Sequence, residues 1–188
     1  KKTEKELKAQ VSFQINKDLD LPDQGYFLNI TEKIITIEAK DEAGLFYGFT
    51  TLDQIAEDAT LQEVNLPIVQ IKDYPELTYR GIHWDVKHHL DKEAYYYDLI
   101  DKISRQKING IILEIEDKLQ YQTHPNIGSA DAFTATQWLA ISEYANDRHI
   151  SISPLVQGLG HASFILKHPK YFELRDDPGS DWAFNPRN

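Results

Sequence analysis

Between Ile108 and Glu116 the chain reads as a strand, yet its centre, Ile111-Ile112-Leu113, is apolar on three successive residues. Successive strand residues point to opposite faces. A run that is apolar on both faces suits a strand covered on both sides, as in parallel sheets flanked by helices. The flanking sequence agrees with this. Tyr79 to Asp85 reads as a strand before it and Ile150 to Val156 as a strand after it. Tyr96, Leu99, Ile100 and Ile103 recur at helical spacing between the first two. Thr134 and Gln137 form a capping box ahead of Trp138, Ile141 and Ala145. His161 to Leu166 opens a third helix. The order β-α-β-α-β-α predicts an α/β fold of parallel strands joined by crossover helices.

The sequence before Pro75 has a different pattern. Val11, Phe13 and Ile15 alternate as a short strand, and Tyr26 to Ile30 and Ile34 to Ile37 read as a hairpin. Leu45, Phe49, Leu52 and Ile55 then lie on one face of a helix that Asp41 caps. Val69 and Ile71 add a strand. Lys1 to Glu6 read as a solvated terminus. Pro67 and Pro75 break the connector. The expected organisation is a partial α+β domain over 1–73 and a β/α domain over 74–188.

Composition excludes several functions. The 188 residues contain no Cys, which removes disulfides, Cys-ligated zinc and a thiol nucleophile. Thirty acidic against 20 basic residues give −10, a poor charge for binding nucleic acid or an anionic membrane surface. Apolar runs are too short for membrane insertion. With no Met and a loop-like stretch from Trp182 to Asn188, the chain is expected to be an internal fragment of a longer protein. No cofactor is expected: Gly158-Leu159-Gly160 lacks the third Gly and downstream acid of a dinucleotide site, and there is no Gly-x-Ser-x-Gly elbow.

In parallel β/α folds, ligands bind beyond the carboxyl ends of the strands. Here those ends are loaded with polar groups. Asp85 is followed by Lys87, His88 and His89; Glu114 by Glu116 and Asp117; and the third strand runs into Gln157 and His161. Arg80 stands near the start of the first strand, facing inward or along the rim. Carboxylates, an imidazole and a guanidinium on one face suit proton transfer and hydroxyl recognition. Glu114 and Glu116, two apart on one strand face, open an oxygen-rich metal site with His161 as an alternative. Tyr95, Tyr96 and Tyr97 read as packing. Trp84 is ambiguous, and Trp182 either lines a pocket or covers the core.

Several of these segments resemble, in order, glycoside hydrolase family 20, the β-N-acetylhexosaminidases. Ala43-Gly44-Leu45-Phe46-Tyr47-Gly48-Phe49-Thr50-Thr51-Leu52 is similar to a helix of that family's α+β domain. Lys72-Asp73-Tyr74-Pro75 and Tyr79-Arg80-Gly81 resemble the opening of its barrel. Lys107-Ile108-Asn109 resembles the approach to its second strand, and Gly160-His161 the turn after its third. The resemblance implies about the first three βα units of a (β/α)8 TIM barrel behind part of a small α+β domain. It implies a retaining glycosidase that releases terminal N-acetylhexosamine, GlcNAc or GalNAc, from a glycan, with the substrate's own acetamido oxygen as nucleophile.

Carried over by position, Arg80 resembles the arginine that holds the sugar's outer hydroxyls, and Asp85 an acid within the site. His161 and an acid at Glu116 or Asp117, preferably Asp117, resemble the pair that supports the catalytic Glu. The resemblance favours a secreted or periplasmic setting. His88 stands where the family has Arg; Leu155, Gln157 and Leu159 replace Glu, Asp and Pro of its third-strand motif. These changes fit a divergent branch, and leave open a barrel that binds sugar without cleaving it. The family's catalytic Asp-Glu pair has no counterpart here: the only such step, Asp41-Glu42, falls at a helix start.

Overall fold

A computed structural model describes residues 10–87 and 89–187. The expected solvated terminus at Lys1 to Glu6, and His88, lie outside the described residues. The chain forms two compact units, Lys1–Thr78 and Tyr79–Asn188.

In the first unit, β1 (Gln10–Ile15), β2 (Tyr26–Ile30), β3 (Ile34–Ala39) and β4 (Val69–Asp73) make one sheet in the order β1-β3-β2-β4. β2 and β3 are the expected antiparallel hairpin; β1 runs parallel to β3 on its other side. Helix α1 (Glu42–Leu61) packs Tyr47 and Leu52 against Tyr26, Leu28, Ile35 and Ile37, all alternate residues of one sheet face. Asp41 caps it as expected, its Oδ1 accepting from the Gly44 amide at 2.7 Å. Its Oδ2 accepts from the Gln24 amide at 2.7 Å. Both carboxylate oxygens of the chain's single Asp-Glu step are therefore committed to backbone.

The second unit is built on a parallel sheet of β5 (Gly81–Asp85), β6 (Gly110–Glu114) and β7 (Ser151–Leu155), in that order. Helices α2 (Glu93–Ser104) and α3 (Ala135–Asn146) connect the strands. Both bury their apolar stripes on the same sheet face: Tyr96 and Ile100 of α2, and Trp138, Ile141 and Ala145 of α3, join Trp84, Ile111 and Leu113. Consecutive parallel strands linked by crossovers of one hand place every helix on one side. The Thr134–Gln137 capping box forms as the sequence predicts.

Three readings are corrected here. Among the described residues the sheet is covered on its helix side alone, so Ile112 of the apolar triplet is 39% exposed while Ile111 and Leu113 are buried. Tyr79 lies outside β5, and its ring lies over Gly81 and Gly110, where a Cβ at either position would collide with it. The third helix, α4 (Ser163–Leu166), is a single turn followed by a 3-10 segment, Pro169–Leu174. Pro169 has no amide hydrogen to extend an α-helical ladder and disfavours helical geometry at His168.

Candidate functional site

The site is assembled at the carboxyl ends of the three parallel strands. Period-two alternation puts His83 and Asp85 of β5 on the face opposite Trp84, and register places Asp85 beside Glu114 of β6. Glu114 in turn pairs with Leu155 of β7. The Glu114 side chain is only 4% exposed and gathers donors from all around it. His83 Nε2 lies 3.0 Å from its Oε2. Lys87 Nζ at 3.0 Å and Gln157 Nε2 at 2.6 Å share its Oε1. Lys87 also pairs with Asp85, whose Oδ1 accepts the Lys87 amide at 3.0 Å. One buried carboxylate thus ties β5, β6 and the loop after β7 together.

The charges follow from this geometry. The hydrogen bond to Asp85 raises the Lys87 pKa; burial opposes it, and Glu114 adds to it, so the ammonium is held charged. Burial alone would raise the Glu114 carboxyl, but the hydrogen bonds from Gln157 and Lys87 and the Lys87 charge outweigh it and hold the pKa below its ordinary value. Glu116 moves the other way: burial, then the Glu114 charge, raises it.

These shifts predict an acid limb of stability. A carboxyl with a lowered folded pKa contributes stability that is complete above its ordinary value of 4.5 and is lost as pH falls through the folded value. Glu116, with a raised pKa, has the opposite sign: its protonation favours the fold as pH falls. The net acid loss is therefore expected to flatten in Glu114→Gln and steepen in Glu116→Gln. Urea denaturation of the 188-residue chain at a series of pH values below neutrality measures it; an unchanged limb in Glu114→Gln rejects the assignment.

The structure gathers some of the sequence-derived candidates and separates others. Asp85 and Glu114 meet through Lys87. Glu116 does not share a strand face with Glu114: β6 ends at Glu114, and Glu116 begins a 3-10 turn (Glu116–Lys118) with φ at 38°, a left-handed value rare for a residue with a side chain. Asp117 follows it, and its Oδ2 lies 3.2 Å from Lys167 Nζ. Its buried Oδ1 accepts no hydrogen bond, and Lys118 Nζ stands 3.6 Å away. Lys118 is itself buried, bonding Ser129 at 3.1 Å and Asp131 at 3.3 Å. His161, with φ at 57°, packs its ring on Trp182 at a centroid distance of 4.2 Å. Among the described residues it makes no hydrogen bond to Glu116 or Asp117.

Arg80 is set apart. It precedes β5 at the amino end of the strand, where its Nε donates to the Lys107 carbonyl at 2.7 Å and its amide to Asn109 Oδ1 at 2.7 Å. Five residue steps along the chain separate its backbone from that of Asp85, about 16 Å at 3.3 Å per residue. This contact fastens the base of the guanidinium to the approach to β6. Among the described residues, no three His, Asp or Glu side chains stand close enough to hold a metal ion, so Glu114, Glu116 and His161 do not form the alternative metal site.

Sequence reasoning undervalued His83, Lys87 and Gln157. The signal was available: His83 is two residues before Asp85 on the same strand, so both face Glu114 once the strands are in register. Trp84, ambiguous from sequence, is buried against Tyr96 at 5.0 Å between ring centroids.

Comparison with known proteins adds the following. The sequence profile of glycosyl hydrolase family 20, domain 2, matches residues 1–74. A β-hexosaminidase of Porphyromonas gingivalis is 30% identical over 175 residues, covering 81% of this chain and 22% of that protein. A solved β-N-acetylhexosaminidase superposes with a TM-score of 0.84 at 21% identity, over 96% of this chain and 44% of the other. The β-N-acetylhexosaminidase of Bacteroides fragilis gives 0.75 at 25% identity, over 89% and 37%. The chain spans 22% to 28% of the length of the first curated relatives it matches.

Proposed function

The chain belongs to glycoside hydrolase family 20, and from that membership we propose that it forms the first strands of a (β/α)8 barrel in an enzyme that removes terminal N-acetylhexosamine from glycans. The observation that carries this reading is the Glu114 hub, which fixes a carboxylate and an ammonium, Asp85 and Lys87, at the carboxyl ends of three parallel strands. That is the side on which β/α barrels bind substrate.

In the substrate-assisted mechanism, the acetamido carbonyl oxygen attacks the anomeric carbon as the glycosidic bond breaks. The leaving oxygen takes a proton from a carboxylic acid, and a cyclic intermediate forms. Water, deprotonated by the same carboxylate, opens that intermediate from the opposite side, so configuration is retained. An intramolecular nucleophile supplies effective molarity that a free carboxylate would lack. The residues of this chain bind and orient. Asp85 accepts from a sugar hydroxyl, and Lys87, with two of its three N–H donors on Asp85 and Glu114, offers the third. Glu116 or Asp117 supports the acid, and His161 supports it from the loop after β7. The acid–base pair itself comes from sequence outside these 188 residues, since Asp41-Glu42 is spent on capping α1.

Hydrolysis of a chromogenic N-acetyl-β-D-glucosaminide tests this. The purified 188-residue chain is expected to show no turnover, and a longer product of the same gene to release the chromophore. Turnover by the 188 residues alone overturns the placement of the acid–base pair; no turnover by the longer product overturns the hydrolase reading.

A further inference from the structure

Trp182 is fixed in place by its backbone and yet leaves its indole half in water. Ala162 donates its amide to the Trp182 carbonyl at 3.0 Å, and Phe184 donates to Leu159 at 2.8 Å. Ser163 Oγ holds Asp181 Oδ1 at 3.0 Å on the preceding residue. The segment is thus laced to the loop after β7, the loop whose Gln157 reaches Glu114. Despite that anchoring, Trp182 is 53% exposed, and Leu159 and Val156 of the same loop are 63% and 64% exposed. The indole lies against the His161 ring on one side, tilted by 51°. Leu159 and His161 both hold left-handed backbone, φ 59° and 57°, a conformation that side chains resist.

A rigid, exposed aromatic face set beside hydrogen-bonding groups is suited to a sugar ring. The apolar C–H face of the sugar covers the indole while its hydroxyl edge keeps a polar partner, here the imidazole of His161. We propose that Trp182, backed by His161, is a stacking platform for a neutral N-acetylhexosamine ring of the glycan chain. The proposal rests on the glycosidase reading and adds a recognition site to it.

The three tryptophans make the test direct. Trp84 and Trp138 are 9% and 7% exposed, so acrylamide quenching of the folded chain reports mainly on Trp182. Saturating N,N′-diacetylchitobiose is expected to shift the emission to the blue and protect it from acrylamide. Calorimetry is expected to show Kd about tenfold higher for Trp182→Ala, with Trp182→Phe keeping most of the affinity. Quenching indifferent to the disaccharide overturns the platform, as does protection that depends on protein concentration without sugar, which marks self-association. Should Trp182→Ala fail to fold, the quenching of the unaltered chain decides alone. Turnover of the chromogenic substrate by the longer product, with no fluorescence response, leaves the glycosidase reading standing and removes the platform.

Discussion

Replacing Glu114 by Gln is expected to cost the second unit about 1.5–3 kcal/mol, the range for hydrogen bonds to a charged group. The amide keeps the shape of the carboxylate but not its charge. It offers one acceptor where the native side chain offers two oxygens to Gln157, Lys87 and His83. Turned toward Lys87 and Gln157 its NH2 group meets donors, and turned toward His83 it is satisfied only by an imidazole whose Nε2 accepts. Lys87 does not become an orphan, because Asp85 still pairs with it. That retained partner keeps the cost below the ~3–5 kcal/mol seen when a buried pair loses one member outright. Glu114→Ala, which also opens a cavity, is expected to exceed Glu114→Gln. A double-mutant cycle with Lys87→Met isolates the pair: a coupling of about 1 kcal/mol or more is expected for directly bonded residues. Additive losses by urea denaturation would mean that the ion pair does not organise the strand ends.

Local chemistry made much of the fold legible. Asp41, the Thr134–Gln137 box, the β2–β3 hairpin and the helical spacing of Tyr96 and Ile100 each rest on contacts within a few residues. Those contacts survive in any tertiary context that keeps the element. What failed depended on distance along the strand or on what lies across it. Ile111-Ile112-Leu113 is apolar on both faces, but periodicity carries no information about what covers each face, and Ile112 is exposed among the described residues. Arg80 precedes β5 and Asp85 ends it, so the length of an extended strand lies between their backbones, a separation that nearness in sequence hides. Glu116 stands two residues beyond Glu114, which a continuing strand would put on the same face; the strand ends at Glu114 and a left-handed φ turns Glu116 away. His83, Lys87 and Gln157 were hard to rank because their partner, Glu114, becomes central only when three strands are in register. The adjacency of His161 and Trp182 likewise depends on a loop folding back across 21 residues.

Tyr96→Ala is expected to be among the most damaging substitutions in the second unit, at about 3–5 kcal/mol, the cost of truncating a buried aromatic ring. The sequence shows three consecutive tyrosines on α2, and the structure gives them different roles. Tyr95 is 45% exposed, whereas Tyr96 is fully buried. Its ring meets Trp84 of β5 at 5.0 Å, Trp138 of α3 at 5.5 Å and Phe133 at 5.7 Å between centroids. It therefore joins the first strand, both crossover helices and the loop before α3. Its hydroxyl accepts the Asp91 amide at 3.2 Å, and burial pushes its pKa up to about 12, so it stays neutral throughout the working range. Tyr96→Phe removes that single hydrogen bond and keeps the ring contacts, and is expected to cost only about 0.5–1.5 kcal/mol. A large gap between the two variants in urea denaturation assigns the stability to ring packing, and equal losses would assign it to the hydroxyl. Function is linked to the same ring. Trp84 lies directly before Asp85, so a cavity at Tyr96 lets β5 relax on its helix side and shifts Asp85 and Lys87 against Glu114. The face of the sheet that carries Asp85 and Glu114 is held in register from behind by an aromatic cluster on the helix side.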